Sequence, residues 1–134
     1  MCNRQPWNVR FFRGEDALRA LGHQNGNAGF GPDVPVVALV TTDLRLFAHT
    51  SERNQAWIEG GLFAMTLVWA LHSLGVDSCM LNLSRRSTEL DDMRNDLNVD
   101  EAEVPIMMIA VGYGRPGHRR ARSPRRASTE VRRP

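Results

Sequence analysis

Residues 53–74 read RNQAWIEGGLFAMTLVWALHSL and are followed by Gly75. This stretch predicts the clearest helix of the chain, and a glycine directly after it is typical of a helix C-terminus. Its polar residues recur every seven positions and form only a narrow stripe, which consists of Glu52, Glu59, Thr66 and Ser73. A helix that is apolar around most of its circumference has to be covered on most sides. One small domain offers too little surface for that, so the sequence predicts a partner chain against this helix.

Two adjacent glycines, Gly60 and Gly61, lie in the interior of this helix. Each costs about 1 kcal/mol relative to alanine at such a position. We therefore expect them where another backbone or a flat ligand comes very close to the helix.

The rest of the chain predicts strands that alternate with helices. Apolar stretches predict strands at residues 8–12, 34–41, 78–83 and 105–111. Further helices are predicted from Glu15 to Leu21, and from a cap at Ser87 or Thr88 to about Leu97. Residues 22–32 are rich in glycine and predict irregular structure. Nearly continuous apolar strands between helices indicate a sheet that is covered on both faces.

Length and composition limit the possible classes of protein. The 134 residues fit one domain spanning residues 1–134. Cys2 and Cys79 cannot form a disulfide framework and we expect no signal peptide, so a cytoplasmic location is expected. The longest apolar run, 60–71, is too short to span a bilayer. No zinc-type spacing of Cys and His and no G-x-S-x-G motif occurs, and the sequence identifies neither a metal site nor a catalytic acid or base.

Charge is distributed unevenly along the chain, and all 17 basic residues are arginine. Residues 1–111 carry nine Arg and fourteen Asp or Glu, a net charge of −5, whereas residues 112–134 carry eight Arg and one Glu, a net charge of +7. The basic C-terminal segment, 115–134, therefore predicts contact with an anion. It either binds nucleic acid phosphates without specificity, or packs back and offers guanidinium groups to one phosphate. Composition alone leaves both possibilities open, although no aromatic residues are interleaved for base stacking.

A glycine motif follows the last predicted strand. Residues 112–117 spell G-x-G-x-x-G, as a dinucleotide-binding turn would. Prolines and arginines follow it instead of an apolar helix, so it is better interpreted as a glycine-rich exit from the strand.

Four segments, taken in order, resemble the nitroreductase family of flavoproteins. They are N-R-Q-P-W in CNRQPWNVRFF, G-N-x-G-F-G in the glycine-rich stretch, E-R-N-Q-A at the start of the long helix, and A-R-S-P-R in the basic segment. The strand PIMMIAVGYG is similar to a strand of that family as well. The resemblance implies an α+β fold, with a mixed sheet flanked by helices, in an intertwined homodimer that binds FMN at its interface.

The resemblance also implies which residues meet the flavin. Asn3 and Gln5 occupy the polar positions of the family's flavin-binding loop. Asn27 falls where the family often places an amide side chain against the pyrimidine edge of the flavin. Leu81 and Asn82 fall where backbone groups approach flavin N5.

The basic segment then has a specific role. Arg122 and Arg125 match the basic residues that hold the FMN phosphate in the family, which makes nucleic acid binding the weaker interpretation. The implied chemistry is transfer of a hydride from NAD(P)H to FMN N5, after which a small-molecule electron acceptor takes the electrons. The sequence identifies neither that acceptor nor the choice between NADH and NADPH.

One part of the family pattern precedes the matching residues. The family begins with a helix bearing Arg-Arg-Ser-x-Arg, followed by the Ser of Ser-x-x-Asn, and Met1 stands where the residue after that Ser would be. Relative to the family, the chain is expected to lack this N-terminal segment. The alternative function is therefore a catalytically incomplete domain of the same fold, which dimerises or binds a partner.

Overall fold

The structure is a computed structural model that describes residues 3–119 and 123–132. The strands in these residues are β1 (Trp7–Arg13), β2 (Val36–Asp43), β3 (Asp77–Asn82) and β4 (Glu103–Gly112). They form one antiparallel sheet in the order β1-β2-β4-β3. The α-helices of the described residues are α1 (Glu15–Gly22), α2 (Gln55–Ser73), α3 (Ser87–Asp96) and the short α4 (Ser128–Val131). Single 3-10 turns lie at Gly31–Asp33, Leu44–Leu46 and Thr50–Glu52.

Helices cover both faces of the sheet, because side chains of the central strands alternate between them. On one face, Val37 and Leu39 of β2 pack with helices α1 and α3, and we call this the α1/α3 face. On the other, Ala38 and Val40 pack against α2, and we call this the α2 face. The predicted α+β fold with a doubly covered sheet is confirmed, but the sheet of the described residues is antiparallel throughout rather than mixed. The predicted strands and helices occur within two residues of their expected ends.

Strand β4 contains a bulge that the sequence does not predict. Val40 pairs with Met107 but Thr41 pairs with Pro105, so Ile106 is the extra residue on β4. Proline is tolerated in strands at such irregularities because one ladder hydrogen bond is already missing there. The bulge turns Ile106 toward the α2 face, where it packs with the apolar residues of that side.

The first of the two helix glycines allows α2 to approach the sheet. A Cβ on Gly60 would overlap the side chain of Ile106 and would lie 3.1 Å from Thr42 Cγ2. A close approach therefore exists at Gly60, but its partners are the side chains of Ile106 and Thr42 in the sheet of the same chain rather than another backbone or a flat ligand. At Gly61, none of the described residues comes within 4 Å of a Cβ, so this glycine is not required by packing within the chain.

Helix ends test the capping predictions. Gly75 follows α2 with a positive φ of 72°, so the predicted C-terminal glycine is confirmed. The predicted cap of α3 at Ser87 or Thr88 is wrong, because Arg86 is the N-cap residue and Ser87 is already helical. The carboxylate of Glu89 accepts a hydrogen bond from the Arg86 backbone N–H at 2.9 Å, which satisfies a donor at the helix start in place of a hydroxyl cap.

Much of the apolar circumference of α2 remains exposed in the single chain, as expected because one small domain offers too little surface to cover it. Ala56, Gly60 and Ala64 are buried toward the sheet. On the outer side, Trp57 and Trp69 are 53% and 62% exposed, and further exposed apolar residues are Ile58, Leu62 and Met65. Among the helices of the described residues, none combines the length and apolar character needed to cross a membrane.

Candidate functional site

The segment before β1 is fixed to the body of the domain by both backbone and side chain. Pro6 O accepts a hydrogen bond from the Asp43 N–H at 2.7 Å. Arg4 Nη1 lies 2.6 Å from Glu52 Oε1 and donates to Leu46 O at 3.2 Å. The hydrogen bond from Arg4, together with one from the Ala48 N–H, lowers the pKa of the Glu52 carboxyl to about 2. Residues 3–6 therefore form a held loop, which we call the amide loop.

Asn3 and Gln5 carry the amides of this loop on an uncommon backbone. Their φ angles are 43° and 48°, in the left-handed region that non-glycine residues rarely adopt. Such a conformation costs on the order of 1 kcal/mol per residue and is often found at functional sites. Both side chains are exposed, and Gln5 Nε2 donates to Asn3 Oδ1 at 3.0 Å. The next residue, Trp7, stacks on Phe63 of α2 at a centroid distance of 4.4 Å, which fixes the start of β1.

Asn27 stabilises the glycine-rich loop from within. Its Nδ2 donates to Leu21 O at 2.7 Å and to Gln24 O at 2.9 Å, and it lies 3.2 Å from Gln24 Oε1. Its Oδ1 would lie 2.7 Å from a Cβ on Gly31, so the glycine is needed for the loop to close around the amide. The structure thus shows loop hydrogen bonds for Asn27, and contact with a flavin stays a prediction.

Leu81 and Asn82 end strand β3 in different environments. Leu81 is buried among the apolar residues of the α1/α3 face, whereas Asn82 is exposed. Asn82 O accepts a hydrogen bond from Gln24 Nε2 at 3.1 Å, and Asn82 Oδ1 accepts one from the Ser84 N–H at 3.4 Å. Gln24, which sequence reasoning did not select, therefore connects the loop of Asn27 to the end of β3.

The predicted site residues form two groups at the same end of the sheet. Asn27, Leu81 and Asn82 are joined through Gln24 at the β3 edge. Asn3 and Gln5 precede β1, which is the opposite edge strand. Three strand spacings separate the two edges, which is about 14 Å. The sheet end between these two groups is the candidate functional site.

The basic segment leaves the sheet at the other end. The Gly114 N–H donates to Asp77 Oδ2 at 2.9 Å, and Arg115 lies 3.6 Å from Asp33. Arg125 is exposed and donates to Ser123 O at 3.4 Å. Arg122 lies outside the described residues. The start of the basic segment therefore lies at the opposite end of the sheet from the amides of the candidate site.

A cavity lies where the basic segment begins, away from the candidate site. Its volume is about 490 Å³, and Phe30, Val34 and Tyr113 are among its apolar walls. Asp77 and Cys79 of β3 also line it. Residues 112–114 of the G-x-G-x-x-G motif form one side, so this motif serves as the strand exit that we expected.

A buried ionic network supports the sheet beside the amide loop. Arg10 Nη1 and Nη2 donate to the two carboxylate oxygens of Glu103 at 2.6 and 2.8 Å, and the Thr41 hydroxyl donates to the same carboxylate. These bonds, chiefly the one from Arg10, lower the pKa of Glu103, and the pairing raises the pKa of Arg10. Arg94 of α3 donates to Glu103 O at 3.3 Å. The carboxylate of Glu103 thus connects β4 to β1 and β2, and its backbone carbonyl connects β4 to α3.

Comparisons with known proteins identify relatives of this arrangement. The model of the nitroreductase family matches residues 3–113. A nitroreductase family protein from Streptococcus pneumoniae is similar, with 20% identity, a TM-score of 0.80, and coverage of 98% of this chain and 80% of the other. A protein from Desulfovibrio desulfuricans, solved in complex with FMN, is 20% identical with a TM-score of 0.77, and the match covers 98% and 73% of the two chains. An FMN-dependent nitroreductase from Clostridium difficile is also 20% identical, with a TM-score of 0.66 and coverage of 89% and 69%. Among curated proteins, none matches this chain.

Proposed function

The chain belongs to the nitroreductase family, and on that basis we propose that it is an FMN-dependent oxidoreductase that transfers a hydride from NAD(P)H to a small organic acceptor. Support comes from two of the similar structures, one solved in complex with FMN and one named as FMN-dependent. The observation that carries the proposal is the amide pair of Asn3 and Gln5, exposed on a strained backbone and held there by Arg4.

The donor set of the chain fits FMN in its chemistry. A flavin has a polar pyrimidine edge that takes hydrogen bonds from amides, and a phosphate that takes charge-assisted bonds from guanidinium groups. Asn3 and Gln5 offer exposed amides, and Asn82 offers a third on the other edge of the sheet. Arg125, and with it Arg122, would hold the phosphate from the partner chain of an FMN site at the homodimer interface, since within one chain the basic segment begins at the opposite end of the sheet. When bound, FMN supplies the redox chemistry by accepting a hydride at N5 and passing the electrons to a second substrate.

In this proposal, the chain's own residues would bind the flavin and hold the groups that contact it in place. Arg4 holds the amide loop against Glu52 and Leu46, so the amides of this loop do not have to be ordered when the flavin binds. Leu81 is buried and fixes the end of β3, so the backbone there would present a rigid edge to the bound flavin. In this proposal no side chain acts as a catalytic acid or base.

Flavin binding tests the proposal directly. The purified chain is titrated with FMN and followed by flavin absorbance and fluorescence, and NADH or NADPH is then added without oxygen. We expect saturable binding and bleaching of the bound flavin. The double variant Asn3→Ala/Gln5→Ala should weaken FMN binding at least tenfold, because each lost hydrogen bond contributes about 1 kcal/mol. Asn95→Ala, which removes an exposed amide on α3, is the matched control. A wild-type chain that neither binds FMN nor oxidises NAD(P)H contradicts the proposal.

We also propose that the chain forms an intertwined homodimer through α2. The exposed apolar side of this helix, with Trp57, Leu62 and Trp69, is too large to be typical of a free surface. Light scattering after size exclusion should give twice the mass of one chain. Trp69→Glu should shift the protein to monomers, whereas Leu18→Glu, at an equally apolar but isolated exposed site on α1, should not. A monomeric wild-type protein at micromolar concentration would rule this assembly out.

A further inference from the structure

Gln24 is a buried amide in the middle of an otherwise exposed loop. The residue is only 7% exposed, while Asn25 and Gly26 beside it are exposed. A buried glutamine has to satisfy both its donors and its acceptor within the protein. The bonds that it makes therefore indicate what it holds in place.

The acceptor oxygen of the Gln24 side chain stabilises the loop in which Gln24 itself lies. Oε1 accepts a hydrogen bond from the Gly26 N–H at 2.6 Å and another from Asn27 Nδ2 at 3.2 Å. A Cβ on Gly26 would lie 3.2 Å from Gln24 Nε2, so the backbone folds closely over the amide. The orientation of the Gln24 amide is fixed by these contacts, and its donor is consequently aimed in one direction.

The donor of Gln24 reaches the end of β3, 58 residues further along the chain, where Nε2 donates to Asn82 O at 3.1 Å. A second bond runs the opposite way, from Arg85 Nε to His23 O at 2.8 Å. Residues 23–24 and 82–85 are thus joined by two side-chain-to-backbone bonds of opposite direction, which we call the clasp.

The clasp controls the direction of a peptide group. Because the peptide bond is planar, the N–H of Leu83 points away from the carbonyl of Asn82. A bond that fixes Asn82 O toward Gln24 therefore also fixes where the Leu83 N–H points. Rotation of this peptide would break the bond from Gln24 and leave a buried donor unsatisfied, which is unfavourable.

We propose that Gln24 is a positioning residue for the flavin, and that it acts by holding the Asn82–Leu83 peptide in the orientation that meets the ring near N5. This inference rests on the proposed function, in which the backbone at Leu81 and Asn82 faces the flavin. Gln24 itself contacts the protein rather than the cofactor. It therefore controls flavin affinity and redox potential through the peptide that it holds.

Two variants at one position separate the bonds of Gln24. Gln24→Glu keeps an acceptor for Gly26 and Asn27 but removes the donor to Asn82 O. Gln24→Leu removes all three bonds and leaves no buried charge, so it remains informative if the glutamate variant does not fold. Asn25→Ala, one residue away and exposed, is the control.

The first measurement is hydrogen exchange of the FMN-free protein, followed by mass spectrometry of peptides covering residues 82–85. Both Gln24 variants should exchange about fivefold faster there, which corresponds to the loss of one net hydrogen bond of about 1 kcal/mol, while the control should match the wild type. The second measurement is the dissociation constant and midpoint potential of bound FMN. Both should change in the Gln24 variants, with at least fivefold weaker binding, and neither should change in the control.

The outcomes separate the two proposals. Unchanged exchange at residues 82–85 would overturn the clasp, whatever the flavin does. Faster exchange with unchanged FMN affinity and potential would show that this peptide does not position the flavin. Absence of FMN binding by the wild-type chain would refute the proposed function and the flavin role of Gln24, while the exchange result would still decide whether Gln24 holds the peptide.

Discussion

The network of Arg10 and Glu103 leads to an asymmetric prediction for two substitutions that break the same ion pair. The side chain of Glu103 is 6% exposed, whereas that of Arg10 is 30% exposed. Removing the guanidinium of Arg10 leaves the buried carboxylate of Glu103 without its partner. Breaking a buried pair in this way costs about 3–5 kcal/mol of folding stability. Because the Thr41 hydroxyl still donates to the carboxylate, we expect Arg10→Met to lie near the lower limit, at about 3 kcal/mol.

The reverse substitution should cost less. In Glu103→Gln, the guanidinium of Arg10 loses its partner but can turn toward water from its partly exposed position. Loss of the charge-assisted hydrogen bonds then costs about 1–2 kcal/mol. Urea unfolding at pH 7 measures the free energy of unfolding of both variants. For Arg10→Met, the loss should also appear as a melting temperature about 8–10 °C below that of the wild type. Arg13→Met, an exposed arginine on the same strand, should change stability by less than about 0.5 kcal/mol.

The pH dependence identifies the cause. In the wild type the pKa of Glu103 is lowered, mainly by its bond to Arg10, so its stabilising contribution is present above the ordinary carboxyl pKa and is lost as the pH falls below it. In Arg10→Met burial instead raises the pKa of this carboxyl, which takes up a proton as the pH falls and relieves the buried charge. The stability difference between the two proteins should therefore narrow from pH 7 to pH 4.5. A smaller effect for Arg10→Met than for Glu103→Gln, or a difference that does not vary with pH, would refute this reasoning.

The two glycines of α2 and the salt bridge of the amide loop provide further predictions. Gly60→Ala should destabilise the domain by about 1–3 kcal/mol in thermal unfolding, because the new methyl group overlaps Ile106. Gly61→Ala, next to open space, should be neutral or stabilise by up to about 1 kcal/mol, and an equal loss for both variants would contradict the packing described for α2. Arg4→Met should restore the pKa of Glu52, which is about 2 in the wild type, toward its ordinary value. Between about pH 4.5 and pH 2, the free energy of unfolding should then fall less in the variant than in the wild type. Identical acid unfolding curves would contradict the salt bridge.

Periodic apolar patterns were sufficient to predict the elements of this fold. The helix of residues 55–73 and its terminal glycine are local features, since one turn of chain determines them. The bulge at Ile106 is not local, because it depends on the register of β4 against β2. Sequence alone could not predict the bulge. The need for a glycine at position 60 follows from it, because the bulge residue Ile106 occupies the space that a Cβ there would take.

The site was less predictable for a related reason. Gln24 and Asn25 are adjacent polar residues in one loop, and only the fold decides that the first is buried and the second exposed. Arg10 and Glu103 are 93 residues apart and carry no shared motif. The resemblance to a family identified exposed amides such as Asn3 and Gln5, whereas the residues that hold other residues in place were found from hydrogen bonds.

The bulge in β4 also determines to which face of the sheet each side chain before it in that strand points. If residues 103–107 alternated strictly with no bulge, the side chain of Glu103 would lie on the same face as Met107, which is the α2 face, away from Arg10 and Thr41. Deleting Ile106 would give a regular ladder and keep Glu103 opposite Asp43, on the face of Arg10 and Thr41, whereas one residue inserted between Glu103 and Pro105 would turn Glu103 to the α2 face and separate the ion pair. Natural variation in residues 104–106 is for this reason expected to include loss of one residue together with the bulge, but not insertion of a single residue.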